Sequence, residues 1–140
     1  MKTMLIILVS VVLNSVSLVA QEKAEDSKKA TKPHEFVLKE LDVFHVALHP
    51  LVHEALPNSD YSTIRAGLED LLMKAKAIEK ARLPKKFTSR RKEFQKQSKL
   101  LVTQLADMNE VKDKVDGDTL GKKFNDMHET FETLVELLKE

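Results

Sequence analysis

The chain has no cysteine and no tryptophan, and its 140 residues include only three glycines and four prolines. Without cysteine, the protein can form no disulfide, thiolate metal site, iron–sulfur cluster or covalent haem attachment. The scarcity of glycine and proline argues against a β-rich fold, which needs many turns. Alanine, leucine, lysine and glutamate are abundant, and these residues favour helix. The composition therefore indicates an all-α protein with a mainly aliphatic core.

Residues 1–20 have the pattern of a secretory signal peptide. Lys2 supplies a positive charge, an apolar run extends from Met4 to Leu13, and the segment ending at Ala20 resembles a cleavage region. The alternative is an uncleaved N-terminal anchor, although the apolar run is short for a membrane span. We therefore expect an exported protein that is periplasmic or secreted.

Removal of residues 1–20 leaves 22 basic and 22 acidic residues, so the mature protein is formally neutral. This balance gives no reason to expect nucleic acid as a partner, and we expect no stable membrane insertion after cleavage. The basic residues between Lys85 and Lys92 are interpreted as the solvated start of a helix. No strand–turn–helix element presents a nucleophile, so the sequence predicts no enzyme. We expect a monomer or a weak homodimer.

Residues 21–32 are polar and predict a flexible leader, and residues 33–140 predict a domain of four amphipathic helices. Short connections make sequential helices antiparallel, so we expect an up-down-up-down four-helix bundle. The third helix carries a heptad of apolar residues that favours left-handed crossings of about 20°. The predicted helices are A from about Pro33 to Leu56, B from Asp60 to about Arg82, C from near Phe87 to Val115, and D from Thr119 to Lys139.

Pro50 lies inside predicted helix A. It removes the hydrogen bond to the Val46 carbonyl and disfavours helical geometry at His49. A kink or local unwinding is expected at this position. The alternative is a helix that ends at His49, followed by a short helical turn through His53.

Three of the five histidines, His45, His49 and His53, are spaced four apart on helix A. Positions four apart lie one turn above each other, although on an ideal helix the third histidine points away from the core face. His128 lies near the middle of helix D. Since mid-helix residues of antiparallel neighbours meet, His128 should lie at the level of His45 and His49. Two carboxylates are candidate additional ligands, namely Asp42 and Glu132.

Imidazole ligands without thiolates suit Zn²⁺ or Cu²⁺. The sequence therefore predicts a transition-metal site made by His45, His49 and His128, with His53 or a carboxylate as the fourth ligand. Its role would be binding, buffering or sensing. The alternative is a structural or interaction bundle without a ligand, in which the histidines are boundary and surface residues.

The segment NDMHETF, residues 125–131, places His128 in the last helix of a predicted exported bundle. In this respect the chain resembles the cytochrome b562 and cytochrome c′ group of periplasmic four-helix bundles. The resemblance implies haem iron at His128, and hence a b-type haem held between His45 or His49 and His128, with electron transfer as the function. The chain departs from the group because it lacks the Cys-x-x-Cys-His motif and has no methionine near the start of helix A.

Overall fold

A computed structural model of the protein describes residues 36–140. The predicted signal peptide at 1–20, the leader at 21–32 and the predicted helix start at Pro33 lie outside this range. The described residues form four α-helices and two short helical segments of other types, and they contain no strand. The protein is all-α over this range, as predicted. The α-helices are α1 (Lys39–Pro50), α2 (Tyr61–Lys80), α3 (Arg91–Val111) and α4 (Gly117–Glu136); a π-helical turn covers Leu51–Ala55 and a 3₁₀ helix covers Lys85–Arg90.

The first helix begins at Lys39, so the predicted helical conformation of Phe36–Leu38 is wrong. Leu38 has extended backbone angles, φ −114° and ψ 127°, and no side chain caps the helix at this position. The Leu38 side chain is nevertheless buried against the core. The helical periodicity extends past the true helix end because the extended segment also buries an apolar side chain.

Two aspartates cap helices, as their positions before apolar periodic segments suggest. The Asp60 carboxylate accepts the Thr63 backbone N–H at 3.1 Å, and the Asp116 carboxylate accepts the Thr119 backbone N–H at 2.7 Å. Each carboxylate also accepts a hydrogen bond from the hydroxyl of the same threonine. These bonds satisfy amide groups that a helix start leaves without partners. They fix the starts of α2 and α4.

The core is one cluster of aliphatic and phenylalanine side chains contributed by all four helices. The heptad of the third predicted helix is confirmed in its burial, although its first member lies in the 3₁₀ helix and its last, Val115, is only half-buried. The spacing of Met73 in the second helix predicts a core residue, but 61% of it is exposed. The four buried heptad members are Phe87, Phe94, Leu101 and Met108.

Sequential helices are neighbours: α2 contacts α1 and α3, and α3 contacts α4. The first and last helices meet through large side chains, because the rings of Phe44 and Phe131 lie 4.8 Å apart. Arg65 of α2 follows core Ile64 in the sequence, a position from which it could pair with an acidic group on the first helix or form a surface ion pair. Instead its guanidinium donates to the carbonyls of Lys112 at 2.7 Å and Val115 at 3.4 Å. Carbonyl groups at a helix end lack helical partners, and this arginine satisfies two of them.

Over residues 36–140, no helix combines the length and the apolar character needed to cross a membrane.

Candidate functional site

The histidine ladder, defined as His45, His49 and His53, runs along α1 and the π turn. The ring centroids of His45 and His49 lie 5.6 Å apart, and those of His49 and His53 lie 4.4 Å apart. His49 and His53 are exposed, whereas His45 is half-buried. The imidazoles of His49 and His53 are therefore close together and open to solvent.

Pro50 and the π turn explain why His53 stays in line with the other two histidines. Pro50 cannot donate a hydrogen bond, and the helix continues beyond it through a wider turn in which the Leu56 N–H donates to the Leu51 carbonyl at 2.9 Å. A π turn has more residues than an α turn, so each residue advances through a smaller angle. In an α-helix, four residues overshoot one full turn by about 40°. The wider turn removes this overshoot and brings His53 back over His49.

His45 is the inner member of the ladder and is packed between aromatic side chains. Its ring lies nearly parallel to that of Phe131, with a centroid distance of 6.2 Å and an angle of 13°. The Phe36 ring meets it edge-on at 5.3 Å. This packing fixes the imidazole plane of His45 at the border of the core.

His128 of α4 is partly exposed and lies near a carboxylate on its own helix. Its Nε2 atom is 3.6 Å from Oε1 of Glu132, four residues later in the chain, and its side chain is 26% exposed. The pair is an ion pair only when the imidazole is protonated. When the imidazole is neutral, His128 and Glu132 present two potential metal ligands from one helix face.

The histidine ladder and α4 border one groove with a volume of about 540 Å³. His45, His53 and His128 all line it, together with Glu132. His49 does not line the groove but contacts His53 from the next position along the ladder. The other lining residues are Phe36, Phe131, Val135, Glu136 and Lys139.

The groove contains two acidic residues that differ in their partners. Glu136 accepts a hydrogen bond from the Lys139 ammonium at 2.5 Å, so its charge is paired. Among residues 36–140, the charged partner of Glu132 is His128, at the longer distance of 3.6 Å. The apolar stripe of the last helix predicts that Glu132 and Glu136 both face outward, and their spacing of four places both on one helix face.

The predicted ligands are thus brought to one surface but not into one coordination sphere. Within residues 36–140, no three His, Asp or Glu side chains lie close enough together to hold a metal ion. Asp42 is half-buried and does not line the groove. The ligand set of His45, His49, His53 and His128 remains a prediction, and the closest pair in it is His49 with His53.

Comparison of the chain with protein-family models, with curated proteins and with solved structures gives no match.

Proposed function

We propose that this protein is an exported, antiparallel up-down-up-down four-helix bundle that binds a transition-metal ion, Zn²⁺ or Cu²⁺, at the histidine ladder. Its role is binding, buffering or sensing of the metal, without catalysis. The pattern of residues 1–20 supports export. The short connections at residues 56–60 and 112–116 support antiparallel neighbours.

The observation that carries the proposal is the pair of exposed imidazoles of His49 and His53, whose centroids are 4.4 Å apart. Two histidines four apart on a helix are a recurrent zinc-binding arrangement. With metal–nitrogen bonds of about 2.0–2.1 Å, two nitrogens on one tetrahedral ion lie about 3.3 Å apart. A small rotation of each ring reaches this separation. These two residues are the primary ligands in our proposal.

The further ligands come from the groove. His128 and Glu132 line it on α4, and His45 lines it below the primary pair. A neutral imidazole and a carboxylate four residues apart suit the two remaining positions of a four-coordinate zinc ion. The side chains of His128 and Glu132 are 26% and 65% exposed, which gives both the freedom to turn toward the metal.

A b-type haem between His45 and His128 is the second candidate, because the last-helix histidine resembles that of the cytochrome b562 group. The contacts of Phe131 favour the metal ion. This ring lies 6.2 Å from the His45 ring and 4.8 Å from the Phe44 ring, on the face of α1 that a haem would need. Haem binding would have to displace Phe131, whereas a metal ion leaves the core unchanged.

Calorimetric titration of the purified protein with Zn²⁺ and Cu²⁺ tests the proposal, with an absorption spectrum recorded before and after addition of haem. We expect binding of one ion that weakens by at least about tenfold in His49→Ala/His53→Ala, since that variant loses two ligands. His34→Ala is the matched control, because the sequence places His34 outside the ladder, and its affinity should equal that of the unmodified protein. Binding that is unchanged in the double variant would refute the metal proposal, as would a Soret band of added haem that shifts and sharpens on binding in the unmodified protein but not in His45→Ala/His128→Ala.

A further inference from the structure

The segment from Lys80 to Lys92 contains seven lysines and arginines and no acidic residue. It comprises the end of α2, the 3₁₀ helix and the beginning of α3. All seven of these basic residues are exposed. A chain with nearly equal numbers of basic and acidic residues therefore concentrates positive charge at one place on its surface.

Two of the seven have structural partners. Arg90 donates to the carbonyls of Leu137 and Lys139, both at 2.7 Å, and so caps the end of α4. Lys86 forms an ion pair with Glu140. These contacts account for two charges and join the start of α3 to the C-terminal residues.

Four other residues, Arg82, Lys85, Arg91 and Lys92, form the surface that we call the basic end. No hydrogen bond or ion pair joins their side chains to any residue in the described range 36–140. Arg82 and Arg91 line one depression of about 380 Å³ beside the α2–α3 connection, and Glu79 is the one acidic residue in its lining. Paired guanidinium groups are well suited to phosphate because each can donate two parallel hydrogen bonds.

The helix dipole of α3 does not account for all of these charges. Arg91 and Lys92 lie in the first turn of α3, where the positive end of the helix dipole disfavours cations. Glu93, in the same turn, offsets only one of the two.

The first described residues lie at the same end of the helical domain as the basic segment. Phe36 and Val37 line a groove with Leu138, Lys139 and Glu140. Glu140 pairs with Lys86, and Arg90 caps the last turn of α4.

We propose that the basic end docks on a membrane surface through the phosphate groups of anionic lipids. A polybasic surface is attracted to such a leaflet, with a contribution from each charge close to it. Single-stranded nucleic acid is the less suitable phosphate source because the neighbouring aromatic residues, Phe87 and Phe94, are buried and leave no ring on which a base could stack. This proposal does not depend on metal binding at the histidine ladder.

Co-sedimentation of the full chain with lipid vesicles tests the proposal. One set of vesicles contains phosphatidylcholine alone, and the other an equimolar mixture of phosphatidylcholine and phosphatidylglycerol. We expect binding to the anionic vesicles that exceeds binding to the neutral ones and disappears at high salt, since salt screens exposed charges. Any attachment through the apolar residues near the N terminus is equal on both vesicles and therefore cancels in the comparison.

The decisive variant is Arg82→Gln/Lys85→Gln/Arg91→Gln/Lys92→Gln. It should lose the anionic-lipid preference by on the order of a hundredfold. The matched control removes four exposed lysines elsewhere and should keep the preference, although its net charge is the same. Thermal unfolding should show a midpoint for the first variant that is equal to or above that of the unmodified protein, because two of the removed charges, Arg91 and Lys92, lie at the positive end of the α3 dipole. The control is Lys76→Gln/Lys99→Gln/Lys114→Gln/Lys122→Gln.

Three results would overturn the proposal. The first is equal binding to the two vesicle types, or equal loss in both variants. The second is complete competition by inorganic phosphate at the concentration of the lipid phosphate, which would assign the site to the free anion. The third is binding to a DNA oligonucleotide that is tighter than binding to the anionic vesicles.

Discussion

Of the three glycines, Gly117, the first residue of α4, has the least space for a side chain, because the ring of Tyr61 lies against it. A β-carbon at Gly117 would lie 2.2 Å from Cδ2 of that ring. We expect Gly117→Ala to destabilise the protein by about 1–3 kcal/mol, the usual cost of overpacking, because the ring must move and its hydroxyl donates to Asp118 at 3.1 Å. Denaturation in urea measures this change.

Gly67→Ala is the control for that substitution. Its nearest neighbour is a methyl group of Leu51 at 2.7 Å, at the flexible end of a side chain. Alanine also favours helix over glycine by up to about 1 kcal/mol in a helix interior, which offsets the displacement of the methyl group. If Gly117→Ala proves as stable as Gly67→Ala, the contact with the Tyr61 ring does not restrict that position.

The two capping aspartates predict a dependence of stability on pH. Hydrogen bonds from the Thr63 hydroxyl and backbone N–H hold the pKa of Asp60 below its ordinary value of 3.8. The backbone N–H and hydroxyl of Thr119 lower the pKa of Asp116 in the same way. A lowered folded-state pKa means that the contribution to stability is complete above the ordinary value and is lost as the pH falls through the folded value.

We therefore expect the unfolding midpoint of the unmodified protein to fall more steeply between about pH 5 and pH 2 than that of Asp60→Asn/Asp116→Asn. Asparagine caps a helix nearly as well as aspartate but does not titrate in this range. Thermal unfolding followed by circular dichroism at several pH values provides the comparison. Parallel pH profiles for the two proteins would contradict the assignment of acid sensitivity to the caps.

At the scale of single residues, the sequence predicts which apolar side chains are buried better than it predicts polar contacts. The apolar period identifies Leu41, Phe44 and Leu48 as core residues, and all three are buried. It wrongly includes Met73, because a period defines a face of the helix but not how far the neighbouring helices cover it. The contact of Arg65 with the carbonyls of Lys112 and Val115 was missed, because it depends on where α3 ends beside α2.

At the scale of elements, Pro50 shows which features of a helix can be predicted from the conformational preferences of single residues and which cannot. These preferences predict that the helix is disturbed at this residue, and the structure confirms a disturbance. They do not distinguish a kink, a helix end and a π turn, because these alternatives differ in hydrogen bonds formed several residues later. Asp60 N–H, for example, donates to the Ala55 carbonyl at 2.8 Å, again across five residues. The direction of His53 depends on that choice and could not be derived from the sequence.

We predict that Pro50→Ala weakens metal binding by about tenfold while leaving the protein at least as stable as before. Alanine lets α1 continue as a regular α-helix, in which His49 and His53 can still bind one ion but His53 turns about 40° away from the groove that holds the further ligands. Proline inside a helix costs about 3 kcal/mol, so its removal does not destabilise the fold. Calorimetric titration and thermal unfolding of the same sample separate the two effects.

Pro57→Ala is the matched control, because Pro57 is exposed in the connection after the π turn. Its metal affinity should not change. Equal affinities for Pro50→Ala and the unmodified protein would show that the π turn has no part in placing the ligands.

The sequence predicts the height at which residues of α1 and α4 meet along the bundle, but not how their side chains pack. Helix lengths place His128 opposite the ladder, and the shared groove agrees with that expectation. The sequence gives no sign that the Phe131 ring lies against His45, because Phe131 is also a regular member of the apolar stripe of α4. The packing of this ring keeps the imidazoles of the two helices on the surface of the groove.

At the scale of the whole molecule, overall composition conceals how charge and histidine are distributed. The formal net charge of +1 conceals the segment from Lys80 to Lys92, which contains seven basic residues and no acidic one. Four of the five histidines lie on two helices that border one groove. Both features depend on which helix ends and faces are neighbours, so they become visible only when the four helices are assembled.

Metal binding across the groove should stabilise the assembled molecule. A ligand at a hundred times its dissociation constant adds about 2.7 kcal/mol to the free energy of unfolding. For a domain of this size the midpoint of thermal unfolding should rise by roughly 10 °C. The rise should shrink as the pH falls, because protons compete with the metal for imidazole nitrogens.

His128→Ala/Glu132→Ala decides whether the metal joins α1 to α4. If both helices supply ligands, this variant should show less than half of the midpoint rise given by Zn²⁺ or Cu²⁺, and amide exchange around residues 128–132 should no longer slow when metal is added. His34→Ala should retain the full rise. A full rise in the α4 variant would place the metal on His49 and His53 alone, because a bridge between two helices cannot survive the removal of every ligand from one of them.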